Sequence, residues 1–186
     1  MSKKAIVLLA EGFEEVEAVT PIDYLRRAGV DVTSAAIGRS RTVTGAHGVE
    51  ITADALFADL AGKSGAWDAL ILPGGGPGSK NLAASGETAA LVTAMAASGK
   101  IVAAICASPA VVLAPLGILK GRTFTCYPGM ESGVRGARWS SGPVVIDGNV
   151  ITSRGAGTAG AFAAALIGVL VSPDERKKIA AQVVME

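Results

Sequence analysis

Short apolar runs alternate with stretches of helical character along this chain, and no other feature limits its folds as strongly. Four runs have the length of buried strands, and a fifth surrounds an Asp-Gly turn: residues 5–10, 32–37, 69–72, 101–106 and 144–152. Strands that alternate with helices pair in parallel and are covered by helices on both faces. The sequence therefore predicts an α/β fold in which a mostly parallel sheet lies between two helical layers.

The composition favours one folded domain over residues 1–186. Half of the 186 residues are hydrophobic and 18% are charged, which excludes intrinsic disorder. Seventeen basic residues stand against sixteen acidic ones, and the formal net charge is +1. Because nucleic acids select strongly basic surfaces, we expect no nucleic-acid partner.

Neither long uncharged stretch predicts a secretion signal or a membrane span. Glu11 ends the apolar run 5–10, which is too short for a signal-peptide core. Residues 155–173 carry no charge, but they are mostly Ala and Gly and suit a buried helix.

Cys106 and Cys126 make no disulfide framework and lack metal-ligand spacing. We expect a cytoplasmic protein with no membrane partner and no metal.

The remaining elements follow from capping and turn signals. We predict a first helix from near Glu14 to Arg27 with a kink at Pro21, hairpins at 42–52 and 144–152, and helices at 157–171 and 174–184. The hairpin at 42–52 should lie outside the parallel sheet. The last helix should bury an apolar face made of Ile179, Val183 and Val184.

Cys106 follows a buried strand and precedes a helix start, which makes it the strongest candidate for chemistry. Ser108 is the predicted N-cap and Pro109 the first helical residue. A thiol at such a turn faces unpaired backbone N–H groups and the positive end of a helix, which lower its pKa. The alternative is a small, inert core residue.

A glycine-rich loop at residues 72–78 should lie at the same carboxyl edge of the sheet as Cys106. It lacks the Gly-Lys-Ser/Thr of a phosphate-binding loop, and Ser79 replaces the third glycine of a dinucleotide fingerprint. The amides of Gly75 and Ala107 could form an oxyanion site. The alternative is a tight turn that needs positive φ angles.

Four acidic residues after the first strand offer a partner for the cysteine: Glu11, Glu14, Glu15 and Glu17. Most of them should lie at a solvated helix N-terminus. One carboxyl turned inward would be protonated through desolvation and could donate to the thiolate, and the helical spacing leaves this choice open. The single histidine, His47, lies in the predicted hairpin, so a Cys/His dyad would require that loop to fold over the site.

Four motifs occur in the order typical of one known superfamily: EEVE at 14–17, LPGG at 72–75, AAICASP at 103–109 and TSRGAGT at 152–158. On these motifs the chain resembles the ThiJ/PfpI superfamily over nearly its whole length. More narrowly, it resembles the branch with the Parkinson's-disease-associated deglycase and its bacterial relatives. The resemblance implies a flavodoxin-like three-layer sandwich, a homodimer and one ThiJ/PfpI-like (class I glutamine amidotransferase-like) domain.

The resemblance also assigns site residues. It implies that Cys106 is the reactive cysteine and that Glu17, the third acid of its motif, is the protonated carboxyl. The remaining positions bind an oxyanion or the substrate: Gly74, Gly75, Ala107, Arg27 and Arg154.

Three positions depart from the superfamily's patterns. Tyr127 before Pro128 replaces a histidine that some members carry near the cysteine, so a general base from that position is absent. His47 stands where relatives often have arginine, which puts anion binding there in doubt. Ala107 replaces the histidine that directly follows the cysteine in the protease members, so proteolysis by that mechanism is disfavoured.

The sequence thus leads to two functional hypotheses. The first is cysteine-dependent glyoxalase or deglycase chemistry, in which a small aldehyde such as methylglyoxal becomes lactate without a metal or organic cofactor. The second is a redox-sensing stress protein or chaperone whose cysteine oxidises to a sulfinate.

Overall fold

The computed structural model describes every residue except Met1, Ala61, Lys63 and Glu186. The strands are β1 (Lys4–Leu9), β2 (Asp31–Ala36), β3 (Thr42–Thr44), β4 (Glu50–Thr52), β5 (Ala55–Leu56), β6 (Ala69–Leu72), β7 (Ile101–Ile105), β8 (Thr123–Phe124), β9 (Arg138–Trp139), β10 (Val144–Asp147) and β11 (Val150–Ser153). The α-helices are α1 (Glu15–Arg27), α2 (Gly76–Ala84), α3 (Gly86–Ala97), α4 (Ala159–Leu170) and α5 (Pro173–Gln182).

Seven strands form the central sheet in the order β10-β11-β7-β6-β1-β2-β5. All neighbours pair in parallel except β10, which runs antiparallel to β11 at one edge. The hairpin β3–β4 forms a separate two-stranded sheet, as its sequence pattern predicts. The predicted mostly parallel α/β architecture is therefore confirmed.

The sheet divides the hydrophobic core into two, one on each face. Along β1, Val7 and Leu9 enter the core covered by α1, α4 and α5, whereas Ile6 and Leu8 enter the core covered by α2 and α3. Side chains of a strand alternate between faces, so a strand covered on both sides reads as a continuous apolar run. This explains why the strands were visible in the sequence, and it confirms the three layers.

Most predicted boundaries agree with the structure, and the last helix holds the main departure. Its α-helical part ends at Gln182, and Val184 has a φ of 54° and is 87% exposed. Ile179 is buried and Val183 is half-buried, so the predicted apolar face is wrong at Val184. The helix ends before that residue can turn toward the core. In the described part of the chain, no helix combines the length and apolarity that a bilayer crossing requires.

Two loops interlock at the carboxyl edge of the sheet. The Glu14 amide, before α1, donates to the Gly74 carbonyl over 3.1 Å, and the Gly78 amide in α2 donates to the Gly12 carbonyl over 3.0 Å. A Cβ atom on Gly78 would lie 2.6 Å from Phe13 Cα, closer than any side chain can approach. The starts of α1 and α2 therefore form one tightly packed unit.

We predict that Gly78→Ala lowers the free energy of unfolding by about 2 kcal/mol or more, because the methyl group must displace the Phe13 backbone. Gly76→Ala is the matched control in the same helix, where an added Cβ meets nothing within 4 Å. It should be neutral or stabilising, since alanine restricts the unfolded chain. Urea unfolding of both variants tests the packing, and equal midpoints would contradict it.

Candidate active site

Cys106 lies at a strained elbow directly after β7. Its φ of 64° is rare for a residue with a side chain and has an energetic cost that the surroundings must offset. The Cys106 amide donates to the Ser153 carbonyl over 3.0 Å, and the Tyr127 amide donates to the Cys106 carbonyl over 2.8 Å. Both sides of this peptide are therefore anchored, which holds the sulfur at the edge of the sheet.

The chain turns helical immediately after the elbow, but Ser108 does not cap this turn. Ser108 has helical angles, is fully buried and donates its hydroxyl to the Pro73 carbonyl over 2.5 Å. The predicted N-cap is wrong because the hydroxyl joins two loops instead. Residues Pro109–Leu113 form a π-helical turn, a form that is common at functional sites.

Glu17, on the inner face of α1, meets the cysteine. Its side chain is fully buried, and its Oε2 accepts a 2.8 Å hydrogen bond from the Gly74 amide. The carboxyl also forms a hydrogen bond with the Cys106 side chain. Helical spacing left this carboxyl undecided, and the structure brings the acid that the resemblance implied into contact with the sulfur.

The two amides predicted for an oxyanion site both form hydrogen bonds with the Cys106 sulfur. One belongs to Gly75, which has a φ of 88° and precedes α2, and the other to Ala107. Gly74 leaves the space for this arrangement, because a Cβ there would lie 2.6 Å from the Cys106 Cβ and 2.7 Å from Glu17 Oε2. Residues 74 and 75 therefore serve the site through geometry that only glycine provides.

Burial dominates the ionisation of this pair. It raises the pKa of Glu17 to about 7, against the lowering effect of the Gly74 amide. Burial also raises the pKa of the Cys106 thiol to about 12, and the ionised Glu17 adds to the rise while the Gly75 and Ala107 amides oppose it. The lowered thiol pKa predicted from the elbow alone is therefore wrong, because desolvation and the carboxylate outweigh the amides.

Coupling makes the two groups one titrating unit. Protonation of Glu17 removes the charge that raises the thiol pKa and provides a hydrogen-bond donor for the sulfur. The pKa of each group therefore depends on the protonation state of the other. Because the pKa of Glu17 is about 7, the pair gains or loses one proton near neutral pH. Such a pair can pass a proton as sulfur forms a bond, without a free thiolate accumulating beforehand.

Glu17 Oε1 is buried and has no hydrogen-bond partner among the described residues. A Cβ on Gly155 would lie 3.9 Å from this oxygen and 3.7 Å from the Tyr127 ring. The backbone at Gly155 therefore lies close to both the carboxyl and the aromatic side chain. No local sequence pattern predicts this contact, because it joins segments that lie far apart in the chain.

Arg154 and Arg27, the two predicted basic positions, have different surroundings. Arg154 directly follows β11, next to the strand that ends at the elbow. Arg27 is exposed at the far end of α1, where its Nε donates to Asp23 over 2.8 Å. Ten residues of helix place it about 15 Å along the axis from Glu17. Within this chain Arg27 does not join the site, and its part in substrate binding stays a prediction.

His47 makes no hydrogen bond with Cys106 in the described structure, and it instead ties the β3–β4 hairpin to α1. Its Nδ1 lies 3.0 Å from Glu15 Oε2 and 3.6 Å from Glu14 Oε2. The Glu15 interaction raises the pKa of His47. Burial alone would raise the pKa of Glu15, but hydrogen bonds from His47 and Val49 lower it to about 2.

Glu14, Glu15 and His47 also bring three potential metal-ligand atoms within 4.8 Å of one another. In the described structure Glu15 already accepts the His47 amide over 2.7 Å as well as the His47 ring. These bonds give the cluster a structural role that needs no ion. The role of Glu15 has no local signal in the sequence, because its partner His47 lies on a distant hairpin.

Comparison with known proteins identifies the class to which this fold and site belong. Residues 3–168 match the model of the DJ-1/PfpI family. The chain is 36% identical to the Parkinson disease protein 7 homolog of Danio rerio, over 99% of this chain and 98% of that protein. It is 34% identical to a deglycase of Pyrococcus horikoshii, over 81% of this chain and 89% of that protein. The chain therefore belongs to the DJ-1/PfpI family.

Solved structures agree with this assignment and confirm the flavodoxin-like α/β fold. Drosophila melanogaster DJ-1beta superposes with a TM-score of 0.95 at 37% identity and with full coverage of both chains. Oxidized Toxoplasma gondii DJ-1 gives a TM-score of 0.95 at 37% identity over 98% of both chains. The chain spans 42% of the length of the Arabidopsis thaliana protein DJ-1 homolog B, to which it is 36% identical.

The raised pKa of Glu17 predicts a specific pH dependence of stability. A carboxyl with a pKa of about 7 in the folded state and 4.5 in the reference state contributes stability at low pH, and this contribution is lost as the pH rises through 7. Relative to Glu17→Gln, the wild type should lose about 3 kcal/mol of unfolding free energy between about pH 4 and pH 8. Urea unfolding across this range measures the difference.

Exposed Glu87, at the start of α3, provides the control for that experiment as Glu87→Gln. Its stability profile should run parallel to that of the wild type. Parallel profiles for the wild type and Glu17→Gln would contradict the raised pKa.

Proposed function

We propose that this protein performs cysteine-dependent glyoxalase or deglycase-type chemistry and protects the cell against carbonyl and oxidative stress. The observation that carries the proposal is the contact of one sulfur with a buried carboxyl and two backbone amides. This arrangement supplies a nucleophile, a proton carrier and two donors for a developing oxyanion. The family membership and the deglycase of Pyrococcus horikoshii add support.

The reaction begins when Cys106 Sγ attacks the aldehyde carbon of methylglyoxal. A carbon–sulfur bond forms as the carbonyl π bond breaks, the thiol proton passes to Glu17, and Glu17 returns this proton to the aldehyde oxygen, which becomes the hydroxyl of a hemithioacetal. The Gly75 and Ala107 amides, which point at the sulfur, stabilise negative charge that develops on this oxygen. Because Glu17 has a pKa of about 7, it can both accept and return a proton at neutral pH.

Glu17 then moves a proton from the former aldehyde carbon to the neighbouring carbonyl carbon through an enediol. The adduct becomes a lactoyl thioester, and the second oxygen becomes a hydroxyl. Water cleaves the thioester and releases lactate and the free thiol. Methylglyoxal and one water therefore give one lactate, with no net oxidation and no cofactor.

We further propose that the protein acts in the cytoplasm as a homodimer. Three exposed valines near the site support an interface: Val16 and Val19 on α1, and Val49 beside the hairpin. Each exposes nearly half or more of its surface in the single chain, and α1 also carries Glu17.

A second candidate is a redox sensor or holdase-like stress protein. The same amides and Glu17 would stabilise a sulfinate at Cys106, and the solved Toxoplasma gondii relative is described as oxidized. Both candidates require the sulfur to lose its proton, so the raised thiol pKa does not distinguish between them. The deglycase among the relatives favours catalysis as the first proposal.

Cys106→Ser should reduce lactate formation from methylglyoxal at least a thousandfold, because serine lacks the nucleophilic sulfur. Cys126→Ala is the matched control: Cys126 is buried, and its sulfur contacts only the Tyr127 carbonyl over 3.5 Å among the hydrogen bonds described. It should retain at least half of the wild-type rate. Stereospecific lactate assays measure both variants, and undiminished turnover by Cys106→Ser would refute the mechanism.

Mild peroxide tests the second candidate. Selective addition of two oxygen atoms at Cys106, without measurable glyoxalase turnover, would favour sensing over catalysis. We expect turnover in the reduced protein and slow oxidation at Cys106. Intact mass spectrometry and peptide mapping measure the oxidation of each cysteine. Equal oxidation of Cys126 would exclude a sensor built on Cys106.

A further inference from the structure

Ser108 lies two residues after the reactive cysteine, and the mechanism above gives it no part. It is fully buried, and its hydroxyl donates to the Pro73 carbonyl over 2.5 Å. Among the described residues, no other hydrogen bond to this carbonyl is found. The hydroxyl of Ser108 is therefore committed to one peptide of the loop that follows β6.

The peptide that Ser108 holds is also the peptide that binds the acid. The Pro73 carbonyl and the Gly74 N–H belong to one trans peptide, and this N–H donates to Glu17 Oε2 over 2.8 Å. The hydroxyl and the carboxyl therefore lie on opposite sides of a single peptide dipole. A hydrogen bond accepted by the carbonyl polarises the peptide and strengthens the bond that its N–H donates.

The next peptide of the loop has the same arrangement with a backbone donor. The Gly74 carbonyl accepts from the Glu14 amide over 3.1 Å. On the other side of this peptide, the Gly75 amide forms a hydrogen bond with the Cys106 sulfur. Two successive peptides thus direct one N–H to the acid and one to the sulfur, and each is fixed at its carbonyl. The first is fixed by a side chain, so a substitution can release it.

The space around this peptide leaves no room for a displaced orientation. A Cβ on Gly74 would lie 2.6 Å from the Cys106 Cβ and 2.7 Å from Glu17 Oε2. The backbone is therefore packed against both members of the reacting pair. A tilt of the peptide would change the position of the carboxyl relative to the sulfur, and reactions between positioned groups are sensitive to such changes.

We propose that Ser108 is a positioning residue for proton transfer: its hydroxyl fixes and polarises the Pro73–Gly74 peptide, which holds Glu17 as a carboxylate ready to accept the thiol proton. The inference rests on the proposed function, which it extends from the residues that touch the substrate to one that acts through the backbone. Without the hydroxyl, the Gly74 amide is a weaker and less well oriented donor. The carboxylate then loses stabilisation, and the carboxyl keeps its proton to a higher pH.

Ser108→Ala tests the proposal on the acid itself. Loss of the hydroxyl should raise the pKa of Glu17 by about 0.5, because it removes part of the strength of a charge-assisted hydrogen bond. NMR titration of ¹³C-labelled glutamate carboxyls, with the Glu17 signal assigned through Glu17→Gln, measures this pKa without substrate. Ser108→Thr keeps the hydroxyl and should return the pKa toward the wild-type value of about 7.

Ser79→Ala is the matched control. Ser79 is also fully buried, and its hydroxyl donates to the Gly75 carbonyl over 2.8 Å. The peptide that it holds carries the Gly76 N–H, which is not a donor to Glu17 or to the sulfur in the described structure. Both alanine variants remove a buried hydroxyl and should be destabilised. The pKa of Glu17 should rise in Ser108→Ala and stay at the wild-type value in Ser79→Ala.

The pH profile of turnover gives a second readout. Glu17 must be ionised to accept the thiol proton, so kcat/KM for methylglyoxal should rise with pH through the apparent pKa of the coupled pair. In Ser108→Ala this rise should move upward by about 0.5, which lowers kcat/KM about threefold near pH 6 and leaves it almost unchanged near pH 8.5. Ser79→Ala should keep the wild-type midpoint.

An unchanged pKa of Glu17 in folded Ser108→Ala, or an equal rise in Ser79→Ala, would overturn the inference. Thermal unfolding shows which variants are folded. If Ser108→Ala is unfolded, Ser108→Cys replaces it, because a thiol keeps a similar shape but is a much weaker donor. An unchanged pKa in that variant is equally decisive against the inference. A wild type that converts no methylglyoxal would refute the proposed function, whereas the NMR titration still decides whether Ser108 acts on Glu17.

Discussion

The hydrogen bond from the Gly74 amide to Glu17 Oε2 is the interaction on which the site depends. It joins α1, which carries the acid, to the loop after β6, while the same carboxyl meets the sulfur after β7. The three neighbouring strands β7, β6 and β1 therefore end at the same edge of the sheet, and the segments that follow them form one site. A carboxyl without this amide would keep only its contact with the Cys106 side chain, and its pKa would rise further.

The fold could be predicted from the sequence because the strands and helices of each layer have a recognisable local pattern. Strands covered on both faces appear as continuous apolar runs, and the Asp147-Gly148 turn marks the edge hairpin. The elbow was also visible, since a buried strand running into Cys106 and Pro109 has few structural solutions. Local patterns failed at chain ends and caps: Ser108 bonds to a distant loop instead of its own helix, and Val184 lies beyond the last helical turn.

The electrostatics of the site could not be obtained from the sequence. An elbow suggests amides and a helix end, which lower a thiol pKa, but the balance also depends on how much water the fold removes and where the nearest carboxylate lies. Glu17 illustrates the difficulty, because helical spacing could not select it and only the resemblance did. Arg27 shows a second difficulty: only the resemblance assigns it a role in substrate binding, and within one chain α1 holds it far from the sulfur and pairs it with Asp23.

The anchoring of Cys106 on both sides restricts how its sulfur can meet a reagent. With its amide bound to Ser153 and its carbonyl bound to Tyr127, the residue cannot swing outward from the sheet edge without breaking two backbone bonds. Any reagent must therefore reach the half-buried sulfur at this fixed depth, because the backbone cannot carry it outward to meet a partner.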